Sequence, residues 1–168
     1  MLMHFSKHIR VAFFLVSLAC ALLPAAATAG STAATGTTLT RAERSLLAEV
    51  NGVRRAHGLR PLAVDPALVR VARSYSVTMI RTNVFSHGAM GARLAASGAR
   101  GPAYGENLAW GTGPYGAAKF VVRSWMNSPG HRANLLRPGW RRIGIGIARG
   151  TFQGYPGASV VTADFAGR

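Results

Sequence analysis

Acidic residues are scarce in this chain of 168 residues: five Asp and Glu stand against twenty Lys and Arg, a formal net charge of +15. A mechanism built on paired carboxylates therefore has little material. Cysteine is scarcer still, and a single Cys20 excludes both an internal disulfide framework and a cysteine-rich zinc module. The sequence also lacks His-Glu-x-x-His, Gly-x-Ser-x-Gly, a phosphate-binding glycine loop leading into a helix with Lys, and a dinucleotide fingerprint. Those absences remove the commonest metalloprotease, α/β-hydrolase, nucleotide-hydrolysing and dehydrogenase readings. The N-terminal apolar run, Val11 to Leu23, is only thirteen residues long. A helix needs about 20 to cross ~30 Å of hydrocarbon.

What is present supports one folded domain. Hydrophobic residues make up 49% of the chain, enough for a core, and twenty glycines and eight prolines without a triplet period indicate many turns. Lys7 and Arg10 precede the short apolar run, and Ala27-Thr28-Ala29 follows it with the small-x-small form of a cleavage site. This pattern predicts a signal peptide over 1–29 and a secreted, extracellular or envelope protein. Cys20 sits behind Ser17-Leu18-Ala19, a poor lipobox because Ser stands where a branched apolar residue is wanted. Cleavage would leave no cysteine, no transmembrane segment, and 18 basic residues against 5 acidic ones, or +13. A thiol nucleophile is then excluded. The surplus charge fits an anionic envelope polymer or acidic lipid, and export argues against nucleic acid. Only two of the twenty basic residues are Lys, so the arginines equally fit a genome of biased base composition.

Residues 30–39 read as a flexible leader of Ser, Thr, Ala and Gly. Thr40 and Glu43 have capping-box spacing, and Leu46, Leu47, Val50 and Val53 continue a helix over 41–57, with Gly58 as its stop. Asp65-Pro66 starts a second helix, with Leu68, Val71, Ala72, Tyr75 and Met79 as its core stripe and Arg70, Arg73 and Arg81 as a solvated face. Residues 82–105 read as a glycine-rich loop with a short helix at 89–97. Ala117, Ala118, Val121, Val122 and Trp125 form a third helix, stopped by Ser128-Pro129-Gly130. Ile143-Gly-Ile145-Gly-Ile147 and Ser159 to Phe165 are strands joined by a turn at Gly154-Tyr-Pro-Gly157. The expectation is an α+β domain over 40–166 with an antiparallel pair near its end.

Among the acids, Glu43 and Asp65 serve helix starts, Glu49 has surface spacing, and Asp164 lies in a strand and stays open as a functional acid. Glu106 alone has unusual neighbours, Tyr-Gly-Glu-Asn-Leu-Ala-Trp. His57 suits the C-terminus of the first helix. His87 and His131 read as loop residues. Two imidazoles and a carboxylate are the natural set for a divalent ion or proton transfer, and their spacing fits two structural histidines as well. Tyr104, Trp110 and Trp125 suit either a ligand wall or the core.

Four ordered segments carry a resemblance: Phe85-Ser86-His87, Gly105-Glu106-Asn107-Leu108-Ala109, Trp125-Met-Asn-Ser-Pro-Gly-His131-Arg-x-Asn134-Leu, and Gly144-Ile-Gly. Together they resemble the CAP superfamily of cysteine-rich secretory, antigen 5 and pathogenesis-related proteins, in its short bacterial branch. The resemblance implies an α-β-α sandwich with a small antiparallel sheet, and a strand near 107–110 that periodicity does not show. It implies a cleft lined by two His and two Glu and able to hold zinc or another divalent ion. His87, Glu106 and His131 match three of those four; the fourth falls on Ser128, which should weaken metal binding. Asn107 and Ser128 join the cleft, His87 and His131 are the candidate ligands, and Glu106 is a bridge or an outer acceptor. The function so implied is a secreted binding or interaction module, its partner an anionic polymer, a lipid or a small hydrophobic ligand. The alternative is an envelope hydrolase, metal-assisted, with Glu106 as general base beside His87 and His131. Glu106 as a lone general acid on wall glycan is a third reading. Ser128 as nucleophile lacks a group to orient His131.

Overall fold

The computed structural model describes residues 37–99 and 101–167. The expected signal peptide, Cys20 and leader residues 30–36 lie outside them. Helix α1 spans Arg41–Ala56 and opens on the expected capping box: the Glu43 amide donates to Thr40 Oγ1 at 3.3 Å, and the Thr40 amide donates to Glu43 Oε2 at 2.7 Å. It ends at His57, whose Nδ1 lies 2.9 Å from the Val53 carbonyl. A two-residue strand β1 (Ala63–Val64) leads into α2 (Pro66–Thr82), started by Asp65 Oδ1 accepting from the Ala67 and Leu68 amides. The short α3 (Met90–Ala95), β2 (Tyr104–Gly111), a 3-10 turn at Gly113–Gly116, α4 (Ala118–Met126) and α5 (Pro129–Leu135) follow. The chain closes with the hairpin β3 (Trp140–Phe152) and β4 (Tyr155–Gly167). Among the described residues no helix is long and apolar enough to cross a membrane.

The strands form one mixed sheet in the order β1-β3-β4-β2, with β1 parallel to β3 and the other pairs antiparallel. Its two faces are unlike because the sequence alternates. Ile143, Ile145, Val161, Ala163 and Phe165 pack with Leu46 and Val50 of α1, Val121, Val122 and Trp125 of α4, and Leu135 of α5. The opposite face is glycine-lined, and α2 lies directly on it. A Cβ on Gly144 would come within 2.1 Å of the Leu68 carbonyl carbon, and one on Gly146 within 2.2 Å of that of Ala72. Only glycine permits so close an approach of helix to strand. Ser76 of α2 completes the contact, donating to the Gly146 carbonyl at 3.0 Å and pairing with Thr162 Oγ1 at 2.9 Å. The α-β-α arrangement is thus set by which strand positions carry Ile and which carry Gly.

Four local readings need correction. Ser128-Pro129-Gly130 ends α4 but also starts α5, since Pro at the first helical position gives up no needed amide. His131 is therefore helical. The loop read over 82–105 ends sooner, since the strand that the resemblance implies near 107–110 begins at Tyr104 and includes Glu106. The hairpin turn is at Gln153-Gly154, ahead of Tyr155, with both residues at positive φ and the Gln153 amide donating to Asn83 Oδ1 at 2.6 Å. Arg73 is not merely solvated: its Nε and Nη2 hold both oxygens of the buried Glu43, at 2.8 and 2.6 Å, clamping α2 to the start of α1.

Candidate functional site

The site grows from β2, an edge strand whose outer side is closed by side chains. Trp125 Nε1 donates to the Leu108 carbonyl at 2.9 Å, and Asn134 Nδ2 donates to the Glu106 carbonyl at 3.1 Å. These bonds occupy acceptors that an open edge would offer to another strand. Along β2 the side chains divide. Glu106 lies on the face covered by α2 and α3, whereas Asn107 faces α5. Asn107 Nδ2 donates to the His131 carbonyl at 3.0 Å, and its Oδ1 accepts from Asn134 Nδ2 at 3.1 Å. Asn107 so fixes the turn of α5 that carries His131.

Glu106 is buried, with both carboxylate oxygens engaged. His87 Nδ1 donates to Oε1 at 2.8 Å, and the Arg93 guanidinium donates to Oε2. Accepting from Nδ1 fixes the His87 tautomer and leaves Nε2 as the outward lone pair on a side chain that is 55% exposed. Arg93 also donates to the His87 carbonyl at 3.1 Å and lies 3.4 Å over the centre of the Tyr75 ring. Tyr75 in turn donates to the Ser86 carbonyl at 2.6 Å. One arginine thus neutralises Glu106, anchors the His87 loop and stacks on α2.

Asp164 of β4 stands opposite Glu106 in the antiparallel ladder and is fully buried, and among the described residues neither of its oxygens has a hydrogen-bonding partner. Burial pushes its carboxyl up to about 8, with the Glu106 charge adding to the rise and Arg93 opposing it. Asp164 therefore carries a proton at neutral pH. On the other side, His131 Nδ1 lies 3.0 Å from Ser128 Oγ. Burial, and after it the charge of His87, holds the His131 imidazole below its ordinary range.

The structure joins His87 directly to Glu106 and links Asn107 to His131, with Ser128 on the far side of that imidazole. Trp125 is core, Trp110 packs edge-on against Phe152 at 5.5 Å, and Tyr104 donates to the Ala99 carbonyl at 2.7 Å, so these aromatics do not wall the cleft. His57 stays at its helix end. Arg93 and Tyr75 are additions: Arg93 lies outside every quoted motif, and strand register is what brings Asp164 to Glu106. Among the described residues no three His, Cys, Asp or Glu side chains converge as a metal-holding group. The two histidines leave only their Nε2 atoms as donors, fewer than the three protein ligands of a catalytic zinc. Such a centre does not fit these residues.

A separate recess of about 370 Å³ lies where α1 and α4 meet β3 and β4. Leu46, Val121, Ile147 and Val161 line it, together with Arg41 and Arg149.

Residues 47–165 match the CAP, cysteine-rich secretory protein, family. The chain belongs to that family. Bacillus subtilis YkwD is 35% identical over 109 residues, covering 62% of this chain and 41% of YkwD. An extracellular SCP-domain protein of Bacillus anthracis superposes on this CAP domain with a TM-score of 0.64 at 27% identity, covering 78% of this chain and 45% of that one. An outer surface protein of Borrelia burgdorferi has a TM-score of 0.59 at 23% identity, covering 74% and 92%, and shares the fold. The CAP chain thus spans less than half the length of the two Bacillus proteins.

Proposed function

We propose that this CAP protein is an extracytoplasmic binding module of the cell envelope, and that its His87–Glu106–His131 cleft recognises a ligand without turning it over. The engagement of Glu106 carries this reading. A general base must reach the proton it takes from water or substrate, and the Glu106 carboxylate is fully buried, with one oxygen held by His87 and the other by Arg93. What the cleft offers outward is imidazole, with Nε2 of His87 as an acceptor. The recess between α1 and α4 supports the binding reading independently. It has the volume of a small-ligand pocket, apolar lining and two cationic groups, which suits a lipid or small hydrophobic ligand with an anionic end. The location is supported by the extracellular and surface relatives and by the signal-like N-terminus.

One contact favours the hydrolase alternative: Ser128 Oγ beside a neutral-leaning His131 is a nucleophile next to a base. No carboxylate orients that imidazole. Incubating the protein, and its Glu106→Gln and Ser128→Ala variants, with envelope fragments, casein and lipid esters separates the readings. The expected result is co-sedimentation with the fragments, weakened in Glu106→Gln, and no product release. Product release that either substitution abolishes would overturn the binding reading.

A further inference from the structure

The C-terminal end of β2 opens onto a groove of about 350 Å³ between that strand, the 3-10 turn and α4. Three aromatic rings border it. Trp110 is half-buried and propped against Phe152. Tyr115 is 70% exposed, and its ring meets that of Phe120 edge-on at 5.8 Å. On α4 and its C-cap, Phe120, Arg123, Ser124 and Asn127 fall at spacings of three, four and seven, which places them on one face. The Arg123 guanidinium carbon lies 4.6 Å over the Phe120 ring, and Arg123, Ser124 and Asn127 are all exposed. The side chains of Ser124 and Asn127 make no hydrogen bond with any described residue. The groove therefore offers ring faces, a hydroxyl, a carboxamide and a fixed cation together.

Few ligand classes use all four. An acyl chain or apolar peptide would bury the hydroxyl and carboxamide without partners. A sugar stacks its C–H faces on the rings and pairs its hydroxyls with Ser124 and Asn127. A carboxylate or phosphate on that sugar meets Arg123, and the excess of 18 basic over 5 acidic residues beyond position 29 attracts a polyanion to the surface. We propose that this groove binds an anionic oligosaccharide. The site extends the binding-module reading to a second surface and uses none of the cleft residues.

Calorimetric titration with tetragalacturonate, and with neutral chitotetraose for comparison, tests it. Tetragalacturonate should saturate one site and bind more tightly than chitotetraose. Tyr115→Ala and Arg123→Gln should each weaken it roughly tenfold. Arg70→Gln, an exposed arginine of α2, should change it less than about twofold, a limit that separates a built site from diffuse attraction. Glu106→Gln should bind normally, so the groove and the cleft can fail independently. Absence of saturable binding, equal loss in Arg70→Gln, or no loss in Tyr115→Ala would overturn the proposal. So would binding of anionic lipid vesicles, lost in Tyr115→Ala, with no binding of oligosaccharide.

Discussion

Asp164 faces Glu106 across the β2–β4 ladder, two buried carboxyls of which one is neutralised by Arg93 and the other keeps its proton. The arrangement has a pH signature. Asp164 rises from 3.8 to about 8 on folding, so the native state binds its proton more tightly than the unfolded chain does. Stability from this group is complete below about pH 4 and is lost as pH rises toward 8. Asp164→Asn removes the titration and keeps the shape. Thermal melts should show the wild-type midpoint falling between pH 5 and 8 relative to the variant, by at least roughly 5 °C. Parallel curves would show that Asp164 is already ionised.

Arg93 is the counter-charge of the site, and its loss strands Glu106. Arg93→Met keeps an unbranched side chain of similar volume and removes the guanidinium together with its stacking on Tyr75. Breaking a buried pair from one side costs about 3 kcal/mol, so denaturant midpoints should drop accordingly. Adding Glu106→Gln should restore part of the loss. Additive effects in that double-mutant cycle would mean that the pair is not coupled.

The two histidines are expected to sense each other. His131 is held below 6.5, first by burial and then by His87. Since its folded value is depressed, the stability it contributes is present above 6.5 and is lost as pH falls through the folded value. Removing the like charge with His87→Ala should raise the His131 titration midpoint in an NMR pH series while leaving it below 6.5, because burial persists. An unchanged midpoint would place the imidazoles out of electrostatic reach.

How much of this was readable in the sequence depends on whether the cause was local. Thr40 with Glu43, and Asp65 with Pro66, announce α1 and α2 because a cap is satisfied within three residues. The Ile-Gly alternation of β3 announces one Ile face and one face bare enough for α2. By contrast β2 shows no period. Gly105, Glu106, Asn107 and Leu108 are consecutively buried because helices cover both faces and Trp125 and Asn134 close the edge. Its polar residues look like loop when the partners are invisible. The cleft residues were found through motif resemblance. Arg93 was not, and Asp164 stood only as an acid in a strand, because the pairing of a counter-charged carboxylate with a protonated one arises only when the register has set Asp164 beside Glu106.

Gly146 tests the packing claim most directly. A methyl group there meets α2 backbone at 2.2 Å, with no flexible side chain to move aside. Gly146→Ala should therefore cost about 3 kcal/mol or more, at the upper end of overpacking effects. Gly130→Ala on the exposed start of α5, where a Cβ meets nothing, should be nearly neutral. Similar melts for the two variants would mean that α2 can lift from the sheet without penalty.

Zinc distinguishes the cleft seen here from the four-residue cleft that the resemblance implies. With Ser128 in place of the second Glu and Arg93 on Glu106, two imidazole Nε2 atoms are the remaining donors. Calorimetry at pH 7.5 should therefore show wild-type zinc uptake too weak to be stoichiometric at micromolar protein. Arg93→Gln releases one Glu106 oxygen and the negative charge with it, so it should bind zinc at least roughly tenfold more tightly. That gain should disappear in Arg93→Gln/His131→Ala, and should shrink as pH is lowered and protons compete for the ligating nitrogens. Tight stoichiometric uptake by the wild type would show that Arg93 yields to the metal. An Arg93→Gln variant no tighter than wild type would show that the cleft lacks the geometry even when its carboxylate is free.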